Sequence, residues 1–168
     1  MAACAETAGE YEGSLRNIIH AFKYDQRRSL AFGLAAFMCD RAGDILEGAD
    51  CLVPVPLHPR RERARGFNQA RGLARQMDLP VVEALVRRRH TPSQVDLAAD
   101  RRHANVQGAF ALRRGWFQKP MTLEGLRVVL IDDVSTTGAT LEACAVVLRE
   151  AGVREIRALT AARVTARR

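Results

Sequence analysis

Two adjacent carboxylates close an apolar run at Val128, Val129, Leu130 and Ile131, and a short stretch of hydroxyls follows them. The order is Asp132, Asp133, Val134, Ser135, Thr136, Thr137, Gly138, Ala139, Thr140. Carboxylates accept hydrogen bonds, so Asp132 and Asp133 suit a pair of ribose hydroxyls. Ser135, Thr136, Thr137, Gly138, Ala139 and Thr140 are small enough for backbone N–H groups to converge on an anion. A helix start there adds unpaired donors and partial positive charge. Gly138 permits a positive φ or a close approach. The chemistry implied is a sugar held by acids and a phosphate held by a loop. The plain alternative is a buried strand with an acidic turn and a Ser/Thr helix cap.

The elements that must position this motif are legible. A continuous apolar run fits a parallel strand covered on both faces. Leu141, Cys144, Ala145 and Leu148 recur at helical spacing, and Gly152 is placed to end that helix. The pattern predicts helices over residues 14–24, 28–46, 68–77 and 139–151. It predicts strands over 51–55, 110–112, 127–131 and 156–162, with a strand or strand-like connector over 81–86. Strands alternating with helices indicate an α/β fold with a largely parallel sheet, whose ligands sit beyond the strands' carboxyl ends. No G-x-x-x-x-G-K-[ST] and no G-x-G-x-x-G occurs.

Composition narrows the class. The 168 residues fit one domain, 48% hydrophobic, with a formal net charge of +7. That charge, carried mostly by arginine, implies an anionic partner. The longest apolar run is too short to span a bilayer and no secretory leader is read, so the expected location is cytoplasmic, without membrane insertion. Cys4, Cys39, Cys51 and Cys144 are scattered and form no C-x-x-C pair. Cys39, Cys51 and Cys144 are expected to be buried small hydrophobes.

A second constellation begins at Asp50. It runs Cys51, Leu52, Val53, Pro54, Val55, Pro56, Leu57, His58, Pro59, Arg60, Arg61, and then Arg63, Ala64, Arg65, Gly66, Phe67, Asn68, Gln69, Ala70. It reads as a strand, a proline-stiffened basic loop and a helix start. Its arginines suit a polyanion, although a solvated basic loop would look the same. Only Phe67 interleaves with these arginines, so no stacking platform for bases is evident.

Together these strings resemble the ComF family, competence-related proteins similar to type I phosphoribosyltransferases. Tyr11-Glu12-Gly13, Leu15-Arg16 and the stretch Ile19-His20-Ala21-Phe22-Lys23-Tyr24 match as well. So do Thr91, Gln94, Leu97, Arg101, Asn105, Val106, Gly108, Ala109 and Phe110. The resemblance implies a type I phosphoribosyltransferase fold: a central, mostly parallel sheet flanked by helices, with a mobile hood loop at about 89–105. It implies that Asp132 and Asp133 bind the ribose of phosphoribosyl pyrophosphate (PRPP), and that residues 135–140 hold its 5′-phosphate. Val55, Pro56, Leu57, His58, Arg60 and Arg61 would meet the pyrophosphate. Thr91, Gln94, Arg102 and Asn105 would act from the hood, and Arg101 would join the two acids in catalysis. Lys23 either reaches a phosphate or sits as a helix-end lysine. Mg²⁺ would enter mainly through PRPP rather than on a protein cage.

The implied reaction is transfer of the phosphoribosyl group to a small-molecule acceptor, a nucleobase in most such enzymes. The alternatives are a non-catalytic sensor of PRPP or nucleotides, and an accessory of DNA uptake that binds single-stranded DNA or competence proteins. Self-association is left open. Family members usually carry an N-terminal cysteine-rich zinc ribbon; only Cys4 precedes Tyr11, so the 168 residues are read as a single domain without it.

Overall fold

The computed structural model describes residues 4–25, 27–88, 108–113 and 122–165. A four-stranded parallel sheet runs through its centre in the order β1-β6-β5-β2. The strands are β1 (Cys4–Thr7), β2 (Cys51–Pro54), β5 (Arg127–Ser135) and β6 (Glu155–Arg163). β5 pairs with β2 and β6, and Val128, Val129, Leu130 and Ile131 are each at most 1% exposed. Apolar on both faces, this strand needs cover on both, and it has it.

One face holds α5 (Ala139–Glu150) and a two-stranded antiparallel ribbon, β3 (Leu85–Arg87) with β4 (Phe110–Leu112). The other holds α1 (Gly13–Tyr24), α2 (Leu30–Arg41) and α4 (Gln69–Ala74). Val128 and Leu130 join the first core, and Val129 and Ile131 the second, as strand alternation requires. This is the expected α/β architecture, a parallel sheet between helical layers.

The elements depart from the sequence reading in particular places. The sequence pattern stops β5 at residue 131, but the strand runs to Ser135, so both acids lie within it, with Asp132 opposite Thr160 of β6. The helix expected over 28–46 ends at Arg41, because Gly43 takes φ +51° and a 3₁₀ turn, Gly43–Leu46, follows. The helix expected over 68–77 closes at Ala74. Of residues 81–86, only 85 and 86 join the ribbon, while Val81 makes an isolated bridge to Leu52. The basic stretch after Pro59 is not a loop but a helix, α3 (Pro59–Arg65). β1 went unread, since its exposed edge carries no apolar alternation. Cys51 and Cys144 are buried as expected, whereas Cys39 is exposed because it falls on the outward side of α2. No helix among the described residues is long and apolar enough to cross a membrane.

Phe22 on α1 is fully buried and meets the Phe67 ring edge-on at 5.2 Å. That contact ties α1 to the turn before α4. Truncating a buried phenylalanine removes its transfer free energy and leaves a cavity. Phe22→Ala is expected to lower unfolding stability by about 3–5 kcal/mol, read from the urea midpoint at unchanged m-value.

Candidate active site at the carboxyl ends of β2 and β5

β2 ends at Pro54, opposite Ile131 and just before the two acids of β5, and everything at the site follows from that register. Val55 N–H donates to the Ile131 carbonyl at 2.9 Å, so the proline-stiffened loop leaves the sheet next to the two acids. Alternation along β5 sends the acids to opposite faces. Asp132 lies among Cys144 of α5 and Arg87 of β3, whose charges it influences. Asp133 turns to α1, where Lys23 Nζ stands 3.0 Å from its Oδ1. The Asp133 N–H donates to Asp132 Oδ1 at 2.9 Å.

Asp132 is half-buried and Asp133 buried. Asp133 is 7% exposed. Burial, with the Asp133 charge beside it, pushes Asp132 from 3.8 up to about 7, against the opposing pull of Lys23, the Asp133 N–H and Arg87. Arg87 is itself buried, with its guanidinium 5.2 Å from the centre of the Phe110 ring. Burial and the nearby Arg61 lower its pKa; burial and Arg65 do the same for Arg61. Arginine still keeps its charge in such surroundings. Two cations, Lys23 and Arg87, therefore act on the carboxylates, with Arg61 close to Arg87.

The 135–140 loop takes the shape its residues allow. Gly138 has φ +78° and stands as N-cap of α5, a left-handed position that suits glycine. A Cβ added there would meet nothing within 4 Å, so the glycine faces open space in front of the helix. Thr137 Oγ1 accepts weakly from Ala139 N–H at 3.4 Å. The N–H groups of the first α5 turn point back at this loop, as helix geometry dictates. At the other end of the helix, Gly152 takes φ +80° just past the Ala151 cap.

The second constellation is built from caps. His58 Nδ1 accepts from Arg60 N–H at 3.3 Å and Pro59 opens α3. Gly66 closes that helix at φ +77°, with its carbonyl bound by Arg28 at 2.7 Å. Asn68 then caps α4 through Arg71 N–H, while its Nδ2 donates to the Val55 carbonyl at 3.0 Å. One buried asparagine thus holds the start of the 55–58 loop against the helix after it. Arg71 pairs with both Glu62 of α3 and Glu83 before β3, and Glu83 also meets Arg75 and Arg113. This network joins the loop's helices to the ribbon. A cleft of about 220 Å³ between them is lined by Pro54, Pro56, Leu57, Asn68 and Arg87.

The structure brings together Asp132, Asp133, the 135–140 loop, residues 55–58 and Arg61. Arg60 is exposed on the first turn of α3. Thr91, Gln94, Arg101, Arg102 and Asn105 lie outside the described residues. The two ends of that segment meet, since Arg88 N–H donates to the Ala109 carbonyl at 2.8 Å. Arg87 escaped sequence reading because only tertiary packing takes it from a basic, unpatterned stretch to Asp132. Lys23, in the last turn of α1, pairs with Asp133. Among the described residues no cluster of three or more His, Cys, Asp or Glu side chains could hold a metal ion.

Comparison with known proteins places the chain. The family described as "Phosphoribosyl transferase domain" matches residues 63–168. Competence protein F of Haemophilus influenzae is 34% identical over 158 residues, covering 88% of this chain and 67% of that protein. The chain belongs to the ComF family. A second relative, DNA utilization protein YhgH of Escherichia coli K12, is 32% identical over 163 residues, covering 89% of this chain and 67% of its own length. Among solved structures, the allosteric regulatory enzyme of purine biosynthesis superposes with a TM-score of 0.52 at 22% identity, over 84% of this chain and 30% of that one. The fold of this ComF member is therefore that of the type I phosphoribosyltransferases.

The raised Asp132 carboxyl carries a pH signature. Folding takes up a proton there between the ordinary carboxylate range and about pH 7. Its contribution to stability therefore falls as pH rises through that window and is constant above it. Urea denaturation of wild type and Asp132→Asn from about pH 4 to about pH 8 checks this. The expected result is wild type losing stability relative to the variant as pH rises, with the difference levelling above about 7.

Proposed function

We propose that this ComF protein binds PRPP at the β2–β5 edge and transfers its phosphoribosyl group to a nucleobase-like acceptor. The observation that carries the reading is the juxtaposition of Asp132 and Asp133 with two anion-binding loops, residues 55–58 on one side and 135–140 on the other. A ribose between them offers its two hydroxyls to the carboxylates. Its 5′-phosphate meets the open space in front of Gly138 and the leading N–H groups of α5. Its pyrophosphate meets the loop that Asn68 staples, with Arg61 and Arg87 at hand.

In this reaction the acceptor forms a bond to C1 of the ribose as the bond to pyrophosphate breaks. The electron pair leaves with the pyrophosphate, and the ring passes through an oxocarbenium-like state, as in glycoside cleavage. Arg61, Arg87 and Lys23 stabilise the charge gathering on the leaving group. Asp132 and Asp133 orient the ring and place negative charge near the electron-poor sugar. The donor set is hard oxygen, which fits Mg²⁺ carried in by substrate oxygens, with Asp132 and Asp133 as its nearest protein carboxylates. Bound so, Mg²⁺ would neutralise charge on the pyrophosphate.

Calorimetry with PRPP and Mg²⁺ tests the site. Wild type is expected to bind saturably, and the Asp132→Asn/Asp133→Asn double variant to bind at least about tenfold more weakly, as loss of hydrogen bonds to charged groups requires. Pyrophosphate release across a base panel then tests transfer. Binding without release for any base leaves a sensor of PRPP. No binding by wild type removes the reading.

One observation favours a second reading, single-stranded DNA. The exposed Tyr24 ring packs 4.7 Å from His20, and the Arg65 guanidinium lies over the Tyr24 ring, 5.2 Å from its centroid. The fold thus gathers an aromatic pair and arginines that the sequence keeps far apart, a combination suited to stacked bases and phosphates. A log–log plot of affinity for an oligonucleotide against salt is expected to fall steeply under this reading, and Tyr24→Ala to weaken binding without changing the slope.

A further inference from the structure

Lys23 stands against the very carboxylate that the ribose needs. Its Nζ is 3.0 Å from Asp133 Oδ1, with the two side chains 13% and 10% exposed. A ribose hydroxyl donating to Asp133 competes with this ammonium for the same lone pairs. The backbone that carries Lys23 is fixed on both sides. Phe22 is fully buried against Phe67, and the Tyr24 hydroxyl accepts from Arg65 Nη2 at 3.4 Å. Arg65 belongs to α3, the helix that continues the 55–58 loop. Lys23 therefore springs from a rigid point between Asp133 and the pyrophosphate loop. Its four-carbon stem and three rotatable donors let the ammonium change partner without moving the helix.

We propose that Lys23 is a switching cation: it holds Asp133 as found here and passes to the pyrophosphate oxygens when PRPP binds, as the ribose hydroxyls take over the carboxylate. This rests on the reading of the site as a PRPP site. The exchange keeps charge matched throughout. Asp133 is never left as a buried, unpartnered carboxylate, and the incoming pyrophosphate acquires a cation that had been held in reserve. A ligand with the ribose and 5′-phosphate but no pyrophosphate must displace Lys23 with nothing to receive it. Lys23 thereby makes the site discriminate in favour of the pyrophosphorylated sugar.

The experiment compares PRPP with ribose 5-phosphate, each with Mg²⁺, by calorimetry on wild type, Lys23→Gln and Lys23→Arg. Wild type is expected to prefer PRPP. Lys23→Gln is expected to weaken PRPP by about tenfold or more while ribose 5-phosphate binds as well or better, so the preference collapses. Lys23→Arg, which keeps the charge, is expected to retain most of it. If the glutamine variant does not fold, Lys23→Met supplies the same neutral side chain at similar length. Equal weakening of both ligands indicates a purely structural lysine and overturns the switch, as does no change in either. Failure of wild type to bind PRPP removes the site reading itself, whereas binding with unchanged preference in the variants removes the switch alone.

Discussion

A strand buried on both faces that ends in two adjacent carboxylates sets the terms for the rest of this molecule. The hydrophobic core requires Val128, Val129, Leu130 and Ile131 to be out of water, and the chain then delivers Asp132 and Asp133 to its margin. Carboxylates at the edge of a core are costly unless matched by donors or cations. Alternation sends them to opposite faces, so one partner cannot serve both. Lys23 comes from the helical layer on one side, and Arg87 from the ribbon on the other. The two layers are thus coupled through the acids as well as through packing.

The same economy governs the loops. Residues 55–58 are short and proline-rich, and their start is secured by Asn68, which caps α4 and binds the Val55 carbonyl with one side chain. Gly66 makes the reversal that places Asn68 there. The stretch Arg65-Gly66-Phe67-Asn68-Gln69 therefore acts mostly as scaffold. Phe67 packs on Phe22, Gly66 turns the chain and Asn68 staples the loop. The arginines of α3 divide between Arg61, which approaches Arg87, and the outer surface, where Arg60 and Arg63 are exposed. A conspicuous motif can be specific because it builds the frame of a site rather than because each residue meets a ligand.

Most of what local chemistry determines was legible in the sequence. Val128 to Ile131, the acids, the glycine before α5 and its apolar stripe each carry their own signal, and the strand at Phe110–Leu112 fell where alternation put it. α3 was missed because it buries no side chain, so no periodicity marks it; its signals were Pro59 at the first turn and Gly66 at the end. β1 was missed because an exposed edge strand needs only its parallel pairing with β6. Cys39 misled because apolar neighbours on a helix do not reveal which side faces out. Arg87 and Lys23 were beyond local reading altogether. Each lies far from the acids in sequence and reaches them through a different layer.

The separation of the two acids between faces bears on how they work. Identical neighbouring carboxylates in water would titrate nearly alike. Here Asp133 faces a lysine at 3.0 Å, whereas Asp132 faces the other layer and accepts from the Asp133 backbone. The pair is therefore chemically unequal before any ligand arrives: Asp133 is ion-paired, and Asp132 is pushed up to about 7. A diol bridging them would meet one carboxylate already negative and one whose charge depends on what sits beside it. Any cation added next to Asp132 draws off its proton, and any ligand that removes Lys23 from Asp133 returns one. Charge at this edge is thus set jointly by the layers on the two faces of the sheet, which makes the ion pair on one face a control on the carboxyl of the other.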